Sequence, residues 1–162
     1  MSMRSWTATG FGVTIDSVES VPVKTKLAFI QKYIPDIMGE LHADMQEDSE
    51  FNNWDTTVEA DYYDFCEDWL NEYEDDYGYH GFGVLFARVI NSNEKDFEVG
   101  YFAGEYYEED SVMYEDRQPW DMSDRVKAMS ADDMRDVFMT YLEELGITDR
   151  SVVGRCSVEY YG

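Results

Sequence analysis

From Tyr33 to Ala87 the chain runs for 55 residues without a Lys or Arg, and within that gap Asp36 to Asp76 supplies 16 Asp and Glu. Whatever this segment folds into must keep those carboxylates in water, because burying an unpaired charge is prohibitive. Like charges at i,i+4 also weaken a helix by about 0.2–0.5 kcal/mol per pair, so helix stability alone would not select such a sequence. The strongest pattern in the gap is Asp55 to Asp76, DTTVEADYYDFCEDWLNEYEDD. Thr56, with Glu59 three residues on, makes a capping-box start. Val58, Tyr62, Phe65, Cys66, Trp69, Leu70 and Tyr73 recur at spacings of three and four, which predicts a helix with one buried face. At about 100° per residue, Asp61, Asp64, Asp68, Glu72 and Asp75 fall within roughly 80° on another face and climb about 21 Å, roughly one charge per 4 Å. One strand of B-DNA carries a phosphate about every 3.4 Å, a comparable density. Taken alone, such a row is usually just the solvated side of an amphipathic helix.

The whole chain shifts that balance. Its 36 Asp and Glu against 12 Lys and Arg give a formal charge of -24, which repels DNA, RNA and anionic membranes and favours a strongly basic partner. Aromatic residues make up 16% of the chain, unlike a disordered acidic tail, so the charge is carried by a folded object. At 162 residues the chain fits one acidic domain spanning 1–162. No apolar run is long enough to span a bilayer and Met1 to Gly12 lacks the pattern of a signal peptide, so the chain is read as cytoplasmic, in a host cell. Cys66 and Cys156 are expected to be reduced, buried small hydrophobes.

In order, Ser5 to Ile15 reads as a strand with a bend at Gly10 to Gly12. Pro22 opens a helix that carries Lys24, Lys26 and Lys32, with Leu27, Ile30, Tyr33 and Ile34 on one face. A second short helix, Asp36 to about Glu47, spaces Ile37, Leu41 and Met45 four apart and points Glu40, Asp44, Glu47 and Asp48 outward. Gly81 to Asn91 and Phe97 to Glu105 are expected to form a hairpin, the first run being apolar on both faces like a central strand. Tyr106 to Ser123 has no clear period and reads as a long loop, or a ragged strand plus loop. Ser130 and Asp133 start a helix whose stripe is Met134, Val137, Phe138, Tyr141, Leu142 and Leu145, ended by Gly146. Ser151 to Tyr160 closes as a strand. The expected fold class is α+β: a single domain with a mainly antiparallel sheet of about four strands and three to four helices packed on it.

Catalytic signals are weak. His42 and His80 are the only histidines, neither lies in zinc-ligand spacing, and there is no phosphate-binding loop or nucleophile elbow. Gly78, Gly81 and Gly83 run in the reverse order to a dinucleotide fingerprint, and carboxylate pairs are too abundant to single out a glycosidase dyad. Asp44, Gln46, Asp48, Glu50, Asn52 and Asp55 occupy calcium-loop positions, but Ser49 replaces the turn glycine and Asp55 the bidentate Glu. No enzyme activity, cofactor or metal is expected. Adaptation to high salt would spread acids evenly, whereas here they bunch in Asp36 to Asp76 and Glu94 to Asp124. Trp54, Tyr63, Tyr77, Tyr106, Tyr107, Tyr114 and Trp120 sit among these acids, where an aromatic ring can add cation–π attraction to a partner's Arg.

Small size, extreme acidity, folded-protein aromatic content and the helical row Asp61, Asp64, Asp68 and Glu72 together resemble the acidic DNA-mimic anti-defence proteins of phages and mobile elements, the anti-restriction and anti-CRISPR inhibitors. The resemblance is one of charge and size across the chain, not of a shared motif. It implies an inhibitor that occupies the basic DNA-binding channel of a nuclease, a CRISPR effector ahead of a restriction enzyme. Asp61, Asp64, Asp68, Glu72 and Asp75 would stand in for phosphates, helped by Glu40, Asp44, Glu47, Glu108, Glu109 and Asp110. The implied partner is a basic nucleic-acid-binding protein, met by a monomer or homodimer without direct nucleic-acid contact. The rival expectation is an acidic interaction or assembly module that binds a basic partner without competing with DNA.

Overall fold

The computed structural model describes residues 5–48, 59–76, 78–97, 99–102, 111–114 and 124–161. Strand β1 (Ser5–Thr14) leads into helices α1 (Ile15–Glu19), α2 (Val23–Tyr33), α3 (Pro35–Glu47), α4 (Glu59–Glu72) and α5 (Phe82–Asn93). Strands β2 (Val99–Phe102) and β3 (Ser111–Tyr114), helices α6 (Asp124–Lys127) and α7 (Ala131–Glu144), a 3-10 turn (Arg150–Val152) and strand β4 (Gly154–Tyr161) follow.

The expected mainly antiparallel sheet with three to four helices packed on it is not what forms: helices dominate, and seven are found among the described residues. The sheet is chiefly a long antiparallel ribbon in which β1 pairs with β4 from Ser5↔Tyr161 to Gly12↔Gly154. Two four-residue strands widen it on the other side of β1, in the order β2-β3-β1-β4.

The largest correction is Gly81 to Asn91. It is not the central strand of a hairpin with Phe97 to Glu105 but helix α5, and Phe82, Leu85, Phe86, Val89 and Ile90 are all but inaccessible to solvent. A segment apolar on every side carries no periodicity, so a buried helix and a buried strand read alike. Length and composition favour the helix, since only Val84, Val89 and Ile90 are β-branched. Deleting the Phe86 ring from this packed centre is expected to cost about 3–5 kcal/mol.

Tertiary contacts fix both ends of α5. Gly81 takes φ +100°, a left-handed conformation that favours glycine, and a Cβ there would come within 2.5 Å of the Glu19 carboxylate. Glu19 Oε1 in turn accepts from Gly83 N at 2.8 Å, so a side chain from α1 caps α5. The same residue holds Lys26, only 4% exposed, whose Nζ donates to the Glu19 carbonyl at 2.6 Å and lies 3.9 Å from its carboxylate. Burial pushes the Lys26 pKa down, and Glu19 opposes that shift. At the other end, the Asn91 side chain donates to Val99 O at 2.8 Å and accepts from Val99 N at 2.6 Å, tying α5 to β2 as a strand neighbour would.

Helix α7 starts as its sequence predicts. Ser130 Oγ accepts from Asp133 N and the Asp133 carboxylate accepts from Ser130 N, both halves of a capping box. Just past the helix, Gly146 takes φ +79°. Phe138, Met139, Tyr141, Leu142 and Leu145 are buried, while Met134 and Val137 remain half-buried at its edge.

Candidate acidic interface

Helix α4 carries six carboxylates, and its two flanks are treated differently. On the side facing α2, Glu59 pairs with Lys24 at 3.0 Å, Lys24 also sits over the Tyr63 ring at 5.0 Å, and Glu67 acts on buried Lys26. On the other flank Asp61, Asp64, Asp68 and Glu72 are exposed and, among the described residues, take no ion pair. The 3.6-residue period separates the two sets: Glu59, Tyr63 and Glu67 lie one turn apart along one line, and Asp61, Asp64, Asp68 and Glu72 along another.

Asp75 does not extend the row. Helix α4 ends at Glu72, and Asp75 lies in the connection to α5, where its Oδ1 accepts from Tyr79 N at 2.9 Å and its own N donates to Tyr79 O at 2.9 Å. This connection is a small closed loop, with Gly81 N donating to Tyr73 O and an antiparallel bridge between Glu74 and exposed His80. Four carboxylates therefore remain over about 16 Å of axis, with the same interval of about 5 Å between successive groups as in the five-residue row, wider than the phosphate spacing of one DNA strand.

A second row lies beside them. Glu40, Asp44 and Glu47 are exposed on α3, clustered by the same period, with no ion pair among the described residues. Two hydrogen bonds tie α3 to α4: Trp69 Nε1 donates to Asp44 Oδ2 at 2.7 Å, and His42 Nε2 lies 2.8 Å from the Tyr62 hydroxyl. Trp69 sits between the buried face of α4 and its acid row, so the two rows border one seam. Beneath it, burial raises the Tyr62 hydroxyl pKa and pushes the Cys66 thiol up to about 11, leaving Cys66 a neutral core thiol at ordinary pH.

The other expected participants lie elsewhere. Glu108, Glu109 and Asp110 fall outside the described residues, as do Thr56 at the expected helix start, most of Tyr106 to Ser123, and the calcium-loop positions Glu50, Asn52 and Asp55. Asp44, the first of those loop positions, is engaged by the Trp69 indole. Of the aromatics singled out in the sequence, Tyr63 is taken up by Lys24, while Trp54, Tyr77, Tyr106, Tyr107 and Trp120 lie outside the described residues. Of the expected buried stripe, among the described residues only Cys66 and Leu70 are buried; Tyr62, Phe65, Trp69 and Tyr73 are half-buried, Trp69 and Tyr73 with ring centroids 5.7 Å apart. Among the described residues no helix is long and apolar enough to cross a membrane. Compared with known protein families, curated proteins and solved structures, the chain matches none.

Proposed function

We propose that the acid face of α3 and α4 docks into the basic nucleic-acid channel of a DNA-targeting defence nuclease in the host cytoplasm, a CRISPR effector ahead of a restriction enzyme, and keeps DNA out. One observation carries this reading: Asp61, Asp64, Asp68 and Glu72 with Glu40, Asp44 and Glu47 border a single seam without an ion pair among the described residues. Among the described residues, Lys24 is paired with Glu59, Lys32 with Glu144, Arg125 with Glu94 and Asp96, and Arg150 with Asp136, not with these rows. Each contact with the channel would replace a phosphate contact, so binding should weaken with salt as DNA binding does.

The spacing of about 5 Å along α4 favours a second reading, in which the face binds a basic assembly partner without imitating DNA. Competition separates the two. Over an immobilised CRISPR effector nuclease, bound protein should be displaced by rising target DNA if it is a mimic. Binding that persists undiminished under saturating DNA would leave only the assembly reading.

A further inference from the structure

We propose that the rim of the acid face formed by Trp69, Tyr73, Asp44 and Glu72 is an arginine-selective seat, so that the basic partner engages this seam through guanidinium groups and not through lysine ammoniums. The inference rests on the basic-partner reading above and names what that partner presents. Trp69 is half-buried, its indole N–H is satisfied by Asp44 across the seam at 2.7 Å, and Tyr73 packs against it at 48° between ring planes. The Asp44 hydrogen bond and the Tyr73 contact hold this half-buried tryptophan beside a carboxylate row. Glu72 lies three residues along the helix from Trp69, within the roughly 5–6 Å that separates i,i+3 neighbours. Asp44 keeps a second carboxylate oxygen, since the indole uses only Oδ2.

Carboxylates beside an aromatic plane are what a guanidinium recognises: it stacks flat on the ring while its in-plane N–H groups reach carboxylates at the ring's edge. An ammonium is a compact, strongly hydrated point charge and gains less from that geometry. Charge complementarity makes the occupant cationic, and the aromatic edge selects which cation. The opposite flank of α4 shows the lysine alternative within the same molecule: Lys24 reaches Glu59 and the Tyr63 ring from α2 and closes that side.

The test uses fluorescent oligo-arginine and oligo-lysine peptides of equal length, titrated into the full chain at fixed salt and read by anisotropy. The wild type should bind oligo-arginine roughly five- to tenfold more tightly than oligo-lysine. Trp69→Met should bring that ratio to about twofold or less, with little change in oligo-lysine affinity. The double variant Asp64→Asn/Asp68→Asn should weaken both peptides and leave the ratio in place. Tyr73→Leu gives a second reading of the ratio, and carries the test alone if thermal melts show that Trp69→Met does not fold. A wild-type ratio retained in every folded ring variant overturns the arginine seat while leaving a basic partner standing. Failure of both peptides to bind the wild type overturns the basic-partner reading together with it.

Discussion

Helices α4 and α7 are each 14 residues long, with six and five carboxylates, yet the molecule uses that charge in opposite ways. On α7, Asp133 closes the capping box, Asp132 pairs with Arg135 at 2.8 Å, Asp136 with Arg150 at 2.6 Å, and Glu144 with Lys32. Arg135 also donates through Nε to Val153 O at 3.1 Å, fastening the helix to the residue that precedes β4. On α4, among the described residues, only the flank facing α2 is answered, and Asp61, Asp64, Asp68 and Glu72 are exposed. Acidic composition alone therefore does not mark a surface for a partner. What distinguishes α4 is charge that takes no ion pair among the described residues, beside a second row on α3 in the same condition.

The sharpest way to break this comparison is charge reversal. Changing Asp61, Asp64, Asp68 and Glu72 together to Lys should lower affinity for a basic target by more than about 100-fold, since four attractions become repulsions. Reversing Asp132 and Asp136 on α7 should change target affinity less than about threefold and lower the melting temperature instead. Competition binding with DNA and thermal melts of both variants check this, and equal loss of binding in the two would end the distinction.

Smaller effects probe stability. Ser130→Ala removes half of the α7 capping box and should cost about 1 kcal/mol in urea denaturation. Asp68→Asn relieves like-charge pairs with Asp64 and Glu72 and should stabilise by about 0.2–0.5 kcal/mol per pair. Opposite signs for two polar substitutions on acidic helices are the expected outcome.

Acid should act first on the balanced helix. The Lys32 ammonium donates to Glu144 and holds its carboxyl below the ordinary value of 4.5; the Ser130 backbone and hydroxyl do the same for Asp133, below 3.8. Their contributions are complete above those ordinary values and are lost as pH falls through the lowered ones. Melts from about pH 6 to about pH 3 should show a smaller acid loss for Glu144→Gln than for the wild type. The smallest effect expected is from salt. Between about 0.05 M and about 0.5 M NaCl, screening should raise the wild-type melting temperature slightly, and a variant with Asp61, Asp64, Asp68 and Glu72 changed to Asn should lose most of that gain.

The elements that were legible in the sequence carry their own signals. The core of α4, the α7 cap at Ser130 and Asp133, β1 and β4 follow from periodicity, capping chemistry and bounded apolar runs. Helix α5 was hidden because Arg88 is the one charged residue in an otherwise apolar run from Phe82 to Ile90, and its start depends on Glu19, 64 residues earlier in the chain. Asp75 looked like part of the acid row because the 3.6-residue period continues past the point where the backbone leaves the helix. The sorting of α4's acids into balanced and unbalanced flanks was equally hidden, since Lys24 and Glu59 are far apart in sequence and meet only because α2 packs beside α4.

The sequence by itself determined that this is a strongly acidic folded chain, that its acids concentrate between Lys32 and Arg88, and that Asp61, Asp64, Asp68 and Glu72 share one side of a helix. Those are properties of composition and of a fixed local period. Only the tertiary structure decided that α5 is the buried centre, that Asp44 reaches across to Trp69, and which carboxylates take no ion pair among the described residues. Each of these depends on residues brought together by packing, and no local pattern encodes a partner that arrives from a different element.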